Sequence, residues 1–273
     1  MEGWSEAGRM RKVCIVRVGG TNCDMETRLA LEEVGLPAEV VHLRKLDSGR
    51  LREYGALVIP GGFSYGDHVR AGAVLAKRMV SRLSQDLVSF VEDGCPILGI
   101  CNGFQVLVEG GFLPAFDGMG KEVQAALAVN DSARYECRWV HLRVERSRCI
   151  FTKKIDRKVL FIPVAHAEGK FVFPLDRERE YLRRLVRSGQ LVLRYSDERG
   201  RPTGGRYPLN PNGSLFDIAG ICDPSGLVFG LMPHPERAFY RLHRPDWTSA
   251  KDGEWADGRL IFESLAEFLR GKQ

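Results

Sequence analysis

The sequence predicts an α/β fold with a doubly wound, mostly parallel sheet that carries antiparallel additions. In the first half, apolar runs at residues 13–18 and 56–60 alternate with segments of helical spacing, and such alternation is typical of a parallel sheet covered on both faces. From about Leu127 onward, segments such as residues 138–144 alternate polar and apolar side chains, which indicates antiparallel strands. Residues 13–273 are expected to form one domain behind a disordered leader over residues 1–12.

Each element of the first half follows from an apolar run or from a helix boundary. Gly35 ends the first helix, because glycine is common just past a helix C-terminus. The predicted strands cover residues 13–18, 38–43, 56–60 and the run that ends at Cys101, and the predicted helices cover residues 24–34 and 69–93.

The second half is expected to add antiparallel strands and two helices. A charged insertion near residues 176–190 carries apolar side chains on one face, which predicts a surface helix over residues 176–187. The expected strands cover residues 138–144, 159–162, 169–173 and 191–195, a hairpin covers 218–222 and 227–232, and an amphipathic helix over 258–270 closes the chain.

Composition and charge narrow the class of protein. The 273-residue chain is 44% apolar and 27% charged, as is typical of globular proteins, and no apolar run approaches the about 18–20 residues of a membrane span. Its seven cysteines include no C-x-x-C pair, which argues against a disulfide framework and a structural zinc site. The net charge of +5 is dispersed among acids, so we expect a cytoplasmic protein that binds neither nucleic acid nor membrane.

A glycine-flanked cysteine follows the apolar run at residues 96–98. Gly99, Cys101 and Gly103 form a G-x-C-x-G pattern with a helix-like segment behind it. This is the cysteine counterpart of the nucleophile elbow, in which small residues let the chain reverse sharply between strand and helix. Because a helix N-terminus favours the thiolate, Cys101 is the predicted nucleophile.

A base for this nucleophile lies near the end of the chain. His234 stands between two prolines, and Glu236 follows two residues later, so in extended backbone the carboxylate can reach the imidazole and fix its tautomer. Cys101, His234 and Glu236 then form a triad by role. The oxyanion would need two backbone donors, which Asn102 and a glycine of the 61–62 turn can supply.

Three other residues compete for roles in the site. Cys23 lies at another strand-to-helix turn but lacks flanking glycines, which makes it the weaker nucleophile. His166 is a rival base without an orienting acid other than Glu168, and loop contact or ligand positioning fits it better. Asp67 is expected to cap the helix that follows it.

Six motifs span nearly the whole chain: residues 20–24 (GTNCD), 60–67 (PGGFSYGD), 99–105 (GICNGFQ), 163–169 (PVAHAEG), 210–214 (NPNGS) and 231–237 (LMPHPER). Together they resemble the class I (triad) glutamine amidotransferases, and more narrowly the PurQ-type glutaminase subunits of phosphoribosylformylglycinamidine synthase. The pair PGGFSYGD and CNGFQ distinguishes this subfamily from other amidotransferases. The resemblance implies a flavodoxin-like sheet of the class I amidotransferase kind.

The resemblance also implies a reaction and a complex. Cys101 attacks the side-chain amide of glutamine to form a γ-glutamyl thioester, ammonia leaves after protonation by His234, and water releases glutamate. Gly62 and Asn102 supply the oxyanion hole, and Gln105 helps to hold glutamine. Ammonia passes to a synthetase subunit that uses ATP to convert formylglycinamide ribonucleotide into formylglycinamidine ribonucleotide in purine biosynthesis, and a small third protein bridges the two.

No cofactor or metal is expected in this chain, since it has no ATP-grasp or P-loop pattern; ATP and magnesium are expected on the synthetase subunit. Two other classes of function compete with the amidotransferase: a stand-alone cysteine hydrolase and a catalytically silent scaffold subunit. Gln105 and the sequence around His234 favour glutamine amidotransfer over general hydrolysis. The intact Cys101, His234 and Glu236 speak against a silent subunit.

Overall fold

A computed structural model describes residues 10–249 and 253–272 of the chain. Residues 1–9 of the expected leader lie outside this range, and β1 begins at Val13. Met10 packs against the core, and Lys12 forms an ion pair with Glu39 at 3.4 Å. The last residues before β1 therefore lie against the domain.

The described chain contains the following elements in order. The strands are β1 Val13–Arg17, β2 Ala38–His42, β3 Ala56–Ile59, β4 Ile97–Ile100, β5 Ala126–Ala128, β6 Glu136–Val144, β7 Val159–His166, β8 Lys170–Val172, β9 Leu191–Ser196, β10 Ile218–Cys222 and β11 Val228–Leu231. The helices are α1 Asp24–Glu33, α2 Ser48–Leu51, α3 Ala73–Glu92, α4 Asn102–Glu109, α5 Glu178–Arg187 and α6 Arg259–Arg270.

One mixed sheet organises these elements, in the order β2-β1-β3-β4-β11-β10-β9-β6-β7. The strands from β2 to β11 pair in parallel, and those from β11 to β7 pair antiparallel. The predicted doubly wound sheet with antiparallel additions is therefore confirmed. β5 and β8 form a separate antiparallel pair.

The position of β11 in the sheet is decisive for the site. Although some 130 residues separate the two strands in sequence, β11 pairs with β4 so that Leu231 lies opposite Ile100. The predicted hairpin of β10 and β11 thus inserts its second strand into the middle of the parallel core. As a result, the segments that follow β4 and β11 leave the same edge of the sheet.

Two predicted boundaries are wrong, each for a local reason. The third helix begins at Ala73 and not near residue 69, because Gly72 has a positive φ of 75°, which a right-handed helix excludes. β7 extends to His166 through Pro163, and the sheet tolerates this proline because β7 is an edge strand.

Helices cover both the core and the surface. In the charged segment, α5 buries Tyr181 and Leu185 and exposes Arg179, Arg183 and Arg187, so the predicted surface helix is confirmed. The longest described helix, α3, has 20 residues and is amphipathic. None of the described helices combines the length and apolar character that crossing a membrane would require.

Gly103 should be irreplaceable for packing, because a Cβ at this position would lie 1.9 Å from the carbonyl oxygen of Ile59. Backbone cannot move aside as a flexible side chain can, so Gly103→Ala should lower the free energy of unfolding by about 3 kcal/mol. Gly19→Ala is the matched control, since a Cβ there meets no atom within 4 Å, and it should change stability by less than about 0.5 kcal/mol. Urea unfolding measures both, and equal effects would contradict this packing argument.

Candidate active site

Cys101 occupies a strained turn between β4 and α4. Its φ of 50° and ψ of −102° are unusual for a residue with a side chain, and its N–H donates to the carbonyl of Leu231 on β11 at 2.8 Å. The side chain is 5% exposed, and α4 begins directly after it at Asn102. Strain held by surrounding packing is common at functional residues, and this geometry fits the predicted nucleophile elbow.

His234 follows β11 and is held by its backbone and its ring. Its N–H donates to the carbonyl of Pro163 at 2.8 Å, and its Nδ1 lies 2.5 Å from Oε1 of Glu236. A carboxylate can only accept a hydrogen bond, so Nδ1 carries a proton in either charge state of the ring, and Nε2 is the nitrogen that gains or loses the second proton. Among the described residues, Nε2 has no hydrogen-bond partner, which leaves it available for proton transfer.

The charges around His234 favour its protonated form. Burial alone would lower the pKa of this imidazole, but the negative charges of Glu236 and Cys101 outweigh burial and hold the pKa well above its ordinary value. The same interaction brings Cys101 and His234 into one electrostatic unit. A thiolate beside an imidazolium is the reactive state of cysteine nucleophiles.

Cys23 lies beside the same imidazole. Its Sγ is 4.0 Å from Nδ1 of His234, the atom that Glu236 already engages, and it accepts a hydrogen bond from Arg237 at 3.1 Å. Burial raises the pKa of the Cys23 thiol. Cys23 therefore faces the wrong nitrogen for activation, and Cys101 remains the better nucleophile.

Cys23, His234 and Glu236 also present ligand atoms within 4.8 Å of one another, a spacing that a divalent metal ion could bridge. The guanidinium of Arg237 lies against the sulfur, however, and the short bond to Glu236 occupies Nδ1. Both contacts would have to break for a cation to enter. The donor set therefore fits an oriented base better than a metal centre.

The two predicted oxyanion donors, the N–H groups of Gly62 and Asn102, lie on segments that are joined by a hydrogen bond. Asn102 is the first residue of α4, so its N–H has no acceptor within the helix. Gly62 has a φ of 143°, and a Cβ there would lie 2.8 Å from the backbone nitrogen of Asn22. The side chain of Asn102 accepts the N–H of Ser64 at 3.4 Å, which links the helix start to the glycine loop.

The base itself packs against this glycine loop. A Cβ on Gly61 would lie 2.7 Å from Cε1 of His234 and 3.1 Å from Sγ of Cys23. Only glycine allows the loop to approach the imidazole so closely. Glycine is therefore required at both positions of the 61–62 turn for different reasons. Gly62 holds the predicted backbone donor, and Gly61 allows the close approach of the base.

Gln105 and Asp67 are both engaged by protein groups. Gln105 accepts from the side chain of Asn102 at 3.0 Å and donates to the carbonyl of Glu168 at 2.5 Å. Asp67 accepts from Asn102 at 3.2 Å and from the N–H of Gly72, just before α3, at 3.3 Å. Burial raises the pKa of Asp67. Its expected capping role is reduced to one bond at the residue that precedes the helix.

His166 is excluded as a rival base. Its Nδ1 lies 3.2 Å from Oδ1 of Asn130 and its Nε2 lies 3.4 Å from Nδ2 of Asn212, so both ring nitrogens are occupied. Burial lowers the pKa of His166 to about 3. Sequence reasoning did not single out Asn130 or Tyr195, because neither belongs to a motif; Asn212 lies in the NPNGS motif and could have been found there.

Comparisons with known proteins identify the family of the chain. Residues 10–269 match the family model described as the CobB/CobQ-like glutamine amidotransferase domain. A phosphoribosylformylglycinamidine synthase subunit PurQ from Archaeoglobus fulgidus is 48% identical over 269 residues, covering 94% of this chain and 97% of that protein. The PurQ subunit from Dehalococcoides mccartyi is 42% identical and is covered to 98%.

Solved structures agree as well. A chain of the PurLQS structure from Thermotoga maritima superposes with a TM-score of 0.71 at 33% identity, with 96% of this chain and all of that chain covered. A second Thermotoga maritima glutamine amidotransferase, at 17% identity and a TM-score of 0.51, shares the fold. With the site's geometry, these matches show that the chain belongs to the CobB/CobQ-like class I glutamine amidotransferases, and within them to the PurQ family, the glutaminase subunits of phosphoribosylformylglycinamidine synthase.

Proposed function

We propose that Cys101, His234 and Glu236 catalyse the hydrolysis of glutamine. This is the reaction of the glutaminase subunits of the PurQ family in purine biosynthesis. One observation carries the assignment: the imidazole of His234 is fixed through Nδ1 by Glu236 at 2.5 Å, at the sheet edge where the N–H of Cys101 donates to the carbonyl of Leu231 at 2.8 Å. Nucleophile, base and orienting acid therefore have the relationship that acyl transfer requires.

The proposed reaction proceeds in two halves. The Cys101 thiolate attacks the amide carbon of the glutamine side chain, and the resulting tetrahedral intermediate expels ammonia as His234 donates a proton to the leaving nitrogen. A γ-glutamyl thioester remains on the sulfur. His234, now neutral, takes a proton from water as the water attacks the thioester, and glutamate leaves as the thiolate and imidazolium are restored.

The negative oxygen of each tetrahedral intermediate needs donors that are in place before the reaction. The N–H groups of Gly62 and Asn102 are the proposed oxyanion hole, supported by the bond between Ser64 and the Asn102 side chain. Loss of one such donor typically costs about 10²–10³ in rate. Gln105 is proposed to help hold glutamine, because its amide anchors Glu168 at the wall of the site.

The partners follow from the family. The PurLQS structure from Thermotoga maritima contains a chain similar to this one. We infer a corresponding complex for this chain, in which ammonia passes to a PurL-type synthetase subunit and a small PurS-type subunit bridges the two. ATP and magnesium are proposed to bind to the synthetase subunit, which converts formylglycinamide ribonucleotide into formylglycinamidine ribonucleotide. The assembly is proposed to work in the cytoplasm.

The two thiols beside His234 provide a direct test of the nucleophile. Cys101→Ala should abolish glutamate release from glutamine, because it removes the sulfur that forms the thioester. Cys23→Ala removes an equally buried thiol from the same imidazole and should keep activity within about 10-fold of the wild type. Glutamate release is measured with and without the synthetase subunits and ATP.

Three outcomes of this assay are informative. Glutaminase activity that survives in Cys101→Ala would overturn the mechanism. Loss of activity in Cys23→Ala alone would move the nucleophile to Cys23. Full activity without partner subunits or ATP would favour a stand-alone hydrolase over a subunit of a synthase complex.

The charge of Glu236 should set the alkaline limit of activity. It helps to raise the pKa of His234, and the protonated imidazole is lost as the pH rises through that pKa. Glu236→Gln keeps the shape but removes the charge, so the pKa should fall and the alkaline limb of kcat/KM should move to lower pH, with kcat/KM reduced about 10²-fold or more.

A neighbouring carboxylate serves as the control for Glu236→Gln. Glu26 forms an ion pair with Arg237 at 3.6 Å and lies outside the contact with His234, so Glu26→Gln should leave the pH profile unchanged. The pH dependence of kcat/KM for glutamine measures both variants. An unshifted alkaline limb in Glu236→Gln would contradict the assigned role of this charge.

A further inference from the structure

The segment from Ala165 to Gly169, here called the 165–169 loop, forms one wall of the site. The carbonyl oxygen of Ala165 lies 3.5 Å from Sγ of Cys101. The carbonyl of Glu168 accepts from the side chain of Gln105 at 2.5 Å, and the Glu168 carboxylate accepts the N–H of Ala71 at 3.1 Å. The position of this loop therefore affects the proposed glutamine contact and the end of the 61–72 segment together.

Asn130, which follows β5, fastens the loop from outside the site. Its side-chain Nδ2 donates to the carbonyl of His166, its Oδ1 accepts the N–H of Gly169, and its backbone N–H donates to the carbonyl of Ala167, each at 2.9 Å. The residue is 2% exposed. A side chain that donates and accepts at once is needed here, which an aspartate or an apolar residue cannot provide.

The orientation of Asn130 dictates the tautomer of His166. Because Nδ2 of Asn130 donates to two carbonyls, those of His166 and Arg134, its Oδ1 must be the atom that faces Nδ1 of His166. Nδ1 then carries the proton, and Nε2 accepts from Nδ2 of Asn212. A second proton on Nε2 would place donor against donor, so this arrangement admits only the neutral ring.

Tyr195 completes the chain of hydrogen bonds on β9. The remaining N–H of the Asn212 side chain donates to the Tyr195 hydroxyl at 3.0 Å, and Oδ1 of Asn212 accepts the N–H of Ser214 at 3.1 Å. Asn212 is therefore satisfied at both ends. All four side chains of the chain, Asn130, His166, Asn212 and Tyr195, are at most 3% exposed, so each bond forms in a medium where an unpaired group is costly.

We propose that Asn130 and His166 are positioning residues that place the 165–169 loop for glutamine binding, with Asn212 and Tyr195 holding the His166 ring in the required orientation. None of the four acts on the reacting atoms; they act through the carbonyl of Glu168, which accepts from the side chain of Gln105. This inference rests on the proposed function, since it concerns the substrate of that same site.

Loss of the His166 ring should affect binding more than chemistry. In His166→Ala the loop loses the hydrogen bond from the ring to Asn130 Oδ1 and the packing of the ring, so KM for glutamine should rise about 10-fold or more. Because His234 is held by Pro163 and Glu236, outside the loop, kcat should stay within about 3-fold of the wild type. Steady-state kinetics of glutamate release by the complete complex measures both constants.

Two conservative variants give a test that does not depend on the stability of His166→Ala. His166→Asn places an amide donor near the position of Nδ1 and can still bond to Asn130, so it should keep KM within about 3-fold of the wild type. His166→Gln reaches the position of Nε2 and removes the donor that the ring offers to Asn130 Oδ1, which keeps only the N–H of Gly169, so its KM should rise as in His166→Ala. Equal KM values for the two variants would overturn the proposal.

A buried amide elsewhere controls for general destabilisation. Gln190 is 1% exposed and donates to the carbonyls of Pro114 and Cys222, toward the edge of the sheet opposite the site, so Gln190→Ala should lower stability and leave KM and kcat unchanged. If the His166 variants also keep wild-type constants, their role is only structural and the inference fails. A wild-type complex that releases no glutamate from glutamine would instead refute the proposed function.

Discussion

The parallel pairing of β11 with β4 is the constraint on which the site depends. It sets Leu231 opposite Ile100 and lets the N–H of Cys101 reach the Leu231 carbonyl. Cys101 therefore lies one residue past the end of β4, and His234 lies three residues past the end of β11, at the same edge of the sheet. A hairpin near the end of the chain thus supplies the base to an elbow formed more than a hundred residues earlier, as the carboxyl ends of parallel strands commonly do.

Environment separates two histidines and two cysteines of nearly equal burial into different roles. His234 faces Glu236 and Cys101, whose charges raise its pKa against burial, whereas His166 faces two uncharged amides and burial lowers its pKa to about 3. Cys101 stands at a helix start, whereas burial raises the pKa of the Cys23 thiol. The partners of each group, and not its residue type, decide whether it can act as a base or a nucleophile.

The sequence predicts the site best where the local geometry permits only a few residue types. The glycines around Cys101 and the closely spaced His234 and Glu236 can be recognised because an elbow and an imidazole–carboxylate pair each require particular residues within a few positions. The predicted start of α3 is too early because Gly72, with a positive φ of 75°, interrupts right-handed helical backbone directly before Ala73. The role of Asn130 could not be predicted, because it depends on hydrogen bonds to a loop that lies 36 residues away in the sequence.

The proposed mechanism is tested most directly by identifying the cysteine that carries the covalent intermediate. The complete complex would be acid-quenched during turnover of glutamine, digested, and its cysteine peptides compared by mass spectrometry. A γ-glutamyl group is expected on Cys101 and none on Cys23. An adduct on Cys23, or rapid release of glutamate while Cys101 stays unmodified throughout turnover, would contradict the proposed mechanism.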